Sequence, residues 1–163
     1  MRRLLIVLLV LGASAQALAN DGWTAGVDDS GYDSRQVIYQ ASSTAIADEY
    51  ATKEVNPVLS FGCVAGGDGT VTAKIDWQRF ISSFSTEAGF SVDDGKASWL
   101  KMAVDSSNKQ TLANAADTAS LLTLLEGGKQ LTVEIAPYSE PSVFVHFDIE
   151  TFGAAFALLK DGC

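Results

Sequence analysis

The stretch that decides the fold runs from Leu131 to Ile149 and reads LTVEIAPYSEPSVFVHFDI. Every second residue in its two arms is apolar: Leu131, Val133 and Ile135 in the first, and Val143, Val145, Phe147 and Ile149 in the second. Because successive side chains of a strand point to opposite faces, this period of two predicts two strands that each bury one face. Tyr138-Ser139-Glu140-Pro141 between them is typical of a turn. The stretch therefore predicts an antiparallel hairpin.

The same alternation occurs outside the hairpin. It is clear at 70–77 and weaker at 23–27, 36–42, 58–64 and 98–104. Gly66-Gly67-Asp68-Gly69 predicts a tight connection between two of these strands, since glycine readily adopts a positive φ. Most of the chain is therefore expected to be antiparallel β-structure.

Two segments have the period of a helix instead. The first is expected to begin at a cap formed by Asp117 or Thr118 and to end before Gly127-Gly128. The second covers 152–160, and its apolar stripe consists of Phe152, Phe156 and Leu159. The predicted fold class is α+β: a mainly antiparallel curved sheet or sandwich with two helices packed on it.

The N-terminus has the three parts of a secretory signal peptide. Met1-Arg2-Arg3 is basic, Leu4 to Leu11 is apolar, and Ala17-Leu18-Ala19 is a small-x-small exit. We expect a signal peptide at 1–19, cleaved between Ala19 and Asn20, and a single exported domain at 20–163 in the periplasm or outside the cell. The alternative is an uncleaved amphipathic or membrane anchor. No second long apolar segment follows, so no transmembrane segment is expected in the mature chain.

The sequence contains two cysteines, and an even number in an exported chain favours a disulfide. Cys63 shares strand parity with Leu59 and Phe61. Cys163 lies eleven residues after Phe152 and so continues the apolar stripe of the last helix. Both sulfurs are thus expected to face the core, which predicts a Cys63–Cys163 bridge.

The charge of the chain is strongly acidic. Lys and Arg number 11 and Asp and Glu number 20. Loss of Arg2 and Arg3 with the signal would leave nine against 20, a side-chain balance of −11. Such a field repels phosphate backbones, so nucleic acid is not an expected partner. It would attract a basic protein, although acidity also serves plain solubility.

Catalytic and metal-binding patterns are weak in this sequence. His146 is the single histidine, and no serine or cysteine is placed beside it by local spacing. We therefore predict no enzymatic activity, no metal and no cofactor. The outward positions of the predicted strands instead suggest an interaction surface made of Trp99, Lys101, Phe144 and His146. The alternative is that the two helices cover these residues.

The order of these features resembles the VasI/TagO family of exported proteins associated with bacterial type VI secretion. The matching landmarks are Trp23, Asp33-Ser34-Arg35-Gln36-Val37-Ile38, Pro57-Val58-Leu59-Ser60-Phe61-Gly62-Cys63, Trp99, Leu131 to Tyr138, Phe147-Asp148 and the final Cys163. In that family, too, the two cysteines stand on an early strand and at the C-terminal end. The family usually has Arg immediately before the first cysteine, where this chain has Gly62.

The resemblance implies a periplasmic, non-enzymatic accessory or interaction protein, associated with type VI secretion and acting on a protein or cell-envelope partner. Two other functions stay open. The acidic charge and the disulfide also suit an inhibitor or binding module for a basic exported enzyme such as a lysozyme. A small hydrolase is the third, less favoured function, because a nucleophile–base pair is missing.

Overall fold

The structure is a computed structural model that describes residues 22–29 and 34–163. Within those residues it contains eleven strands and two helices. The strands are β1 Thr24–Asp28, β2 Arg35–Ala41, β3 Ile46–Ala47, β4 Glu54–Val55, β5 Val58–Val64, β6 Thr72–Asp76, β7 Thr86–Val92, β8 Ser98–Val104, β9 Gln110–Leu112, β10 Gln130–Ile135 and β11 Val143–Asp148. The helices are α1 Ala115–Leu125 and α2 Phe152–Gly162. The predicted signal peptide and its cleavage position at Ala19 and Asn20 lie outside the described residues.

One antiparallel sheet of nine strands dominates the described part of the chain, in the order β1-β2-β5-β6-β9-β8-β7-β10-β11. Strands β3 and β4 form a separate short pair. Within β8, residues 98–102 pair with β7, whereas Ala103 and Val104 pair with β9. This change of partner lets β8 join two halves of a curved sheet. The predicted α+β class with a mainly antiparallel curved sheet is confirmed.

The predicted hairpin is confirmed as β10 and β11, with Val133 opposite Val145. Its alternate apolar residues are buried as expected, except Val143 at the start of β11, which is half-buried. Leu131, Val133, Ile135, Val145 and Phe147 all have no exposed side-chain surface. They join the inward residues of the other strands in one core, so the inner face of the sheet encloses the hydrophobic interior.

The sheet is curled, and residues next to β1 and β2 at one end of it contact β11 at the other end. The indole Nε1 of Trp23, just before β1, donates a hydrogen bond to the carbonyl oxygen of Asp148 at 3.1 Å. The backbone N–H of Ser43, shortly after β2, donates to the carbonyl oxygen of His146 at 2.8 Å. These two bonds use polar groups along the free edge of β11, which would otherwise be open to another strand.

Helix α1 begins earlier than predicted. Its cap is Asn114, whose side-chain oxygen accepts a hydrogen bond from the backbone N–H of Asp117 at 2.8 Å. Asp117 and Thr118 therefore lie inside the first turn, and the expectation that one of them caps the helix was wrong. The amide of Asn114 outcompetes them because it stands where the chain enters from an extended conformation. The helix ends before Gly127, whose φ is +72°.

Helix α2 begins at Phe152 as predicted but continues to Gly162, two residues beyond the predicted end. Phe152 and Leu159 of the predicted stripe are buried, whereas Phe156 is half-buried. The ring of Phe152 lies 5.0 Å from that of Phe61 on β5. Cys163 follows the helix and is bridged to Cys63, with the two Cα atoms 5.7 Å apart. The predicted disulfide is confirmed, and it holds α2 on the inner face of the sheet.

Strand β7 was not predicted, although it lies in the middle of one half of the sheet. Three consecutive residues, Ala88, Gly89 and Phe90, are buried there, which erases the alternation that a half-exposed strand shows. Three shorter strands, β3, β4 and β9, were also not predicted because they are too short to show a period. Among the described residues, no helix is long and apolar enough to cross a membrane.

Candidate interaction surface

The four residues of the predicted interaction surface lie on the outer face of the sheet. Trp99 and Lys101 are on β8, and Phe144 and His146 are on β11. The helices pack on the inner face, where the core lies. The alternative in which the helices cover these side chains therefore does not describe this structure. The use of the surface in binding stays a prediction.

Strand register brings two of these residues into one row. Trp99 pairs with Gly89 on β7, Gly89 pairs with Glu134 on β10, and Glu134 pairs with Phe144 on β11. Residues directly opposite one another in a sheet project to the same face. Trp99, Gly89, Glu134 and Phe144 thus form a continuous line across four strands, which we call the aromatic row.

Gly89 explains the position of the Trp99 ring. A Cβ atom at Gly89 would lie 3.1 Å from Cε2 and Cζ2 of Trp99 and 3.2 Å from its Cη2. Nearly equal distances to three ring atoms mean that the six-membered ring lies flat over the glycine. One face of the indole is therefore supported by β7, while 53% of the residue remains exposed to solvent. The exposed face of the Trp99 indole is therefore a flat apolar surface parallel to the sheet, which we call the shelf.

A shallow groove runs beside this shelf. Its volume is about 410 Å³, and it is lined by Ser85, Thr86, Glu87, Trp99, Lys101, Ala136 and Ser142. Glu87 and Lys101 stand opposite each other in the β7–β8 register. They place one carboxylate and one ammonium group at the rim, so the groove combines an apolar shelf with polar hydrogen-bonding groups.

At the other end of the aromatic row, Phe144 is 50% exposed and His146 is half-buried. The Nδ1 atom of His146 lies 2.9 Å from the hydroxyl oxygen of Thr132, its partner in the β10–β11 register. The backbone oxygen of His146 is also occupied, by the N–H and hydroxyl of Ser43. The ring Nδ1 and the backbone oxygen of the histidine are thus both bonded within the sheet surface. The two cysteines of the chain are joined in the disulfide, so neither is a free thiol.

The structure adds Gly89, Glu87 and Glu134 to the residues of the predicted surface. The sequence held one usable signal for Glu134, since it alternates outward in the first arm of the hairpin. Gly89 and Glu87 could not be found in this way because β7 shows no clear period. Their place beside Trp99 follows from pairing between β7 and β8, which is a tertiary property.

Gly62 lies away from the aromatic row, on β5, with β6 and β9 between it and β8. A Cβ atom at this position would approach Val37 Cγ1 at 2.9 Å and the backbone oxygen of Gln36 at 3.1 Å. The guanidinium of Arg35 on β2 reaches Thr72, the register partner of Gly62, and donates to its hydroxyl at 2.9 Å. A residue with a Cβ atom at position 62 would therefore require the side chain of Val37 to shift.

The fold and surface define a small, disulfide-bridged α+β protein with an exposed aromatic sheet face. Its fold is similar to the crystal structure of invasion associated protein B from Bartonella henselae, with a TM-score of 0.51 and 14% sequence identity. The similarity covers 85% of this chain and 92% of that one. At this identity the likeness is one of fold. Neither models of protein families nor curated protein sequences match the chain.

Proposed function

We propose that this protein is an exported, non-enzymatic interaction protein that binds a cell-envelope partner through the aromatic row. The observation that carries the proposal is the exposure of Trp99 and Phe144 on the sheet face opposite the helices. Exposed aromatic side chains are typical of binding sites, since they contribute much buried area at little conformational cost.

Three further observations support export and an accessory role. Both cysteines are paired, which suits an oxidising compartment. The protein with the similar fold is an invasion associated protein. The landmarks shared with the VasI/TagO family favour the periplasm and an association with type VI secretion. Co-purification of named secretion components with the periplasmic protein at moderate salt would test that association, and their absence would contradict it.

The aromatic row can be tested by retention on isolated cell-envelope material. We expect the double variant Trp99→Ala/Phe144→Ala to lose most retention, because both exposed rings are removed. Its free energy of unfolding should fall by no more than about 1 kcal/mol per site, the usual range for a cross-strand contact on a sheet surface. Tyr50→Ala, which removes an aromatic that is 77% exposed on the β3–β4 turn, is the matched control. Equal retention of the double variant and wild type would contradict the proposal.

A second function is favoured by the charge of the chain. Twenty acidic residues against 11 basic ones suit an inhibitor of a basic exported enzyme such as a lysozyme. Binding of that kind should weaken steeply between low and high salt, because exposed charges are screened. An affinity for lysozyme that does not change with salt would count against it.

The absence of enzymatic activity is part of the proposal and has its own test. The hydrogen bond between His146 Nδ1 and the Thr132 hydroxyl suits a structural role better than a catalytic one. A hydrolytic activity of the purified protein that disappears in His146→Ala, with unchanged folding, would overturn this part.

A further inference from the structure

We propose that the partner of the aromatic row is an uncharged glycan chain whose sugar rings stack on Trp99 and Phe144. This inference rests on the proposed function and names the chemical class of its partner. The pyranose ring is a flat object with apolar C–H faces and hydroxyl groups around its edge. A complementary site needs a flat apolar surface bordered by hydrogen-bonding groups, and the row has both.

The first step is the geometry of the shelf. The indole of Trp99 lies against Gly89, so only its outer face is open, and that face is parallel to the sheet. A protein side chain usually enters a pocket in a protein partner, and hot spots cluster in such pockets. The indole of Trp99 lies flat on the sheet and does not project from it, so it cannot insert into a pocket of a partner. Its open face can instead stack on another flat ring, as the aromatic platforms that stack nucleic-acid bases do.

The second step is the polar border. Glu87 and Lys101 flank Trp99 on one side, and Ser142 lines the same groove. Glu134 stands between the two aromatic residues of the row. The carboxylates accept hydrogen bonds from sugar hydroxyls, and the ammonium group of Lys101 donates to sugar oxygens. Each ring on Trp99 would therefore meet both donors and acceptors at its edge.

The third step is the spacing of the aromatic residues. The Trp99 ring lies over β7, and Phe144 is on β11, two strands further along the sheet. Neighbouring strands are ~4.8 Å apart, so β7 beneath the Trp99 ring and β11, which carries Phe144, are ~10 Å from each other. That distance is close to the length of a disaccharide unit in a β-linked chain. Alternate sugars could then stack on Trp99 and Phe144, with the sugar between them above Glu134.

The fourth step is charge. Two carboxylates, Glu87 and Glu134, lie in or beside the row, and the chain as a whole is acidic. This field disfavours anionic polymers such as nucleic acids and teichoic-acid-like phosphodiesters. Sheet edges and apolar peptides are also poor occupants, since the row lies on the face of the sheet. A neutral glycan is not repelled by the carboxylates, and it can bind to the face of a sheet.

Tryptophan fluorescence tests the proposal directly. Trp23 and Trp77 are buried with 2% and 0% exposure, whereas Trp99 is 53% exposed, so acrylamide quenches chiefly Trp99. We expect a β-1,4-linked N-acetylglucosamine hexasaccharide to shift the emission in a saturable way and to protect it from acrylamide, with a Kd on the order of 1 mM or below. No saturable change with this probe or with the matching glucose hexasaccharide would overturn the inference.

Variants separate stacking from general stability. For hexasaccharide binding measured by calorimetry, Trp99→Ala should weaken the affinity at least about tenfold, and Trp99→Phe should weaken it less. Gly89→Ala should also weaken it, because the new Cβ displaces the indole while both aromatic residues remain. Tyr50→Ala should bind as wild type does. Unchanged affinity in folded Trp99→Ala or Gly89→Ala would contradict the proposal.

Chain length gives an independent test. A disaccharide reaches only one aromatic residue, so Phe144→Ala should weaken hexasaccharide binding severalfold and leave disaccharide binding unchanged. Equal losses for both lengths would contradict the two-ring arrangement.

The failure of this inference can be told apart from failure of the proposed function. If envelope retention depends on Trp99 and Phe144 but no neutral oligosaccharide binds or competes, the glycan is wrong and the interaction protein stands. If retention does not depend on the row, the proposed function itself fails.

Discussion

Thr111 is a fully buried polar residue on β9, and its hydroxyl accepts a hydrogen bond from the indole Nε1 of Trp77 at 2.9 Å. A buried donor left without a partner costs more than the bond itself contributes, because the group has already lost its water. Arg79 illustrates the same rule with a charge. It is 2% exposed, and its guanidinium donates to both carboxylate oxygens of Glu140, at 2.6 and 2.7 Å. In both cases one side chain supplies the hydrogen-bond acceptor that a buried donor needs.

Thr111→Val should therefore destabilise the protein, although it preserves side-chain volume. We expect a loss of about 1–3 kcal/mol in the free energy of unfolding, since the Trp77 indole N–H would be unpaired in the core. Urea denaturation gives the value, and Thr123→Val on the exposed side of α1 is the control. A loss below about 0.5 kcal/mol would contradict the assigned role of this bond.

Glu140→Ala should remove the carboxylate partner of the buried Arg79. Breaking a buried ion pair costs ~3–5 kcal/mol. Here 39% of the Glu140 side chain is exposed, so solvent screening lowers the expected loss to about 2 kcal/mol. Thermal or urea unfolding measures it, with Glu150→Ala, at an exposed position beyond β11, as control. Equal stabilities of the two variants would show that Arg79 does not need this partner.

Asp48 makes the free energy of unfolding depend on pH in the acid range. The hydrogen bond from the Thr52 hydroxyl, at 2.7 Å, is the largest influence that holds the pKa of Asp48 below its ordinary value of 3.8, and backbone N–H groups of Thr52, Lys53 and Tyr50 add to it against the opposing effect of desolvation. A group with a lower pKa in the folded state stabilises the fold above its unfolded pKa. That stabilisation is lost as the pH falls from about 5 through 3.8 and below.

Asp48→Asn should reduce the dependence of stability on pH below about pH 5. The variant should be less stable than wild type at neutral pH, and the difference should shrink as the pH falls below 3.8. Melting temperatures across the pH range would show it, with Asp161→Asn at the exposed end of α2 as control. A difference that stays constant between pH 7 and 3 would contradict it.

At the scale of elements, α2 depends on one covalent contact more than on its own propensity. It begins without a side-chain cap, and helix ends fray when no contact holds them. Its inner side packs Phe152 against Phe61 and Trp23, and the Cys63–Cys163 bridge ties its far end to β5. The helix therefore has an aromatic contact at its start and a disulfide at its end.

Replacing both cysteines by alanine should release the far end of α2. The bridge closes a loop with a sequence separation of 100 residues, for which the chain-entropy model gives ~4.7 kcal/mol as an upper value. We expect a loss of about 2–4 kcal/mol and faster hydrogen exchange in the last turn of α2. Wild type under reducing conditions is the matched comparison. Unchanged exchange in that turn would show that packing alone holds the helix.

At the scale of the whole molecule, the curl of the sheet separates two environments. The inner face holds the core and both helices, and the outer face carries the aromatic row. This division comes from closing contacts at Trp23 and Ser43 and from the change of partner along β8. A flat sheet would leave the core side half-covered, whereas the curled sheet encloses it and presents Trp99 and Phe144 outward.

Much of this arrangement is readable from the sequence. Alternation in 131–149 predicted the β10–β11 hairpin. Strand parity for Cys63 and the apolar stripe of the last helix for Cys163 placed both sulfurs on the side where they meet. Parity also predicted outward positions for Trp99 and Phe144. These predictions succeed because side-chain direction within a strand or helix is a local property of the backbone.

Outside the predicted hairpin, tertiary structure decided which strands are neighbours. The pairing of β7 with both β8 and β10 puts Gly89 beneath Trp99 and beside Glu134, and β7 itself has no clear period because Ala88, Gly89 and Phe90 are buried in succession. The cap of α1 likewise moved to Asn114, where the entering chain fits its amide. Periodicity tells each residue which side of its element it faces. The assembly of those sides into a surface depends on contacts between segments tens of residues apart, and local pattern carries no information about them.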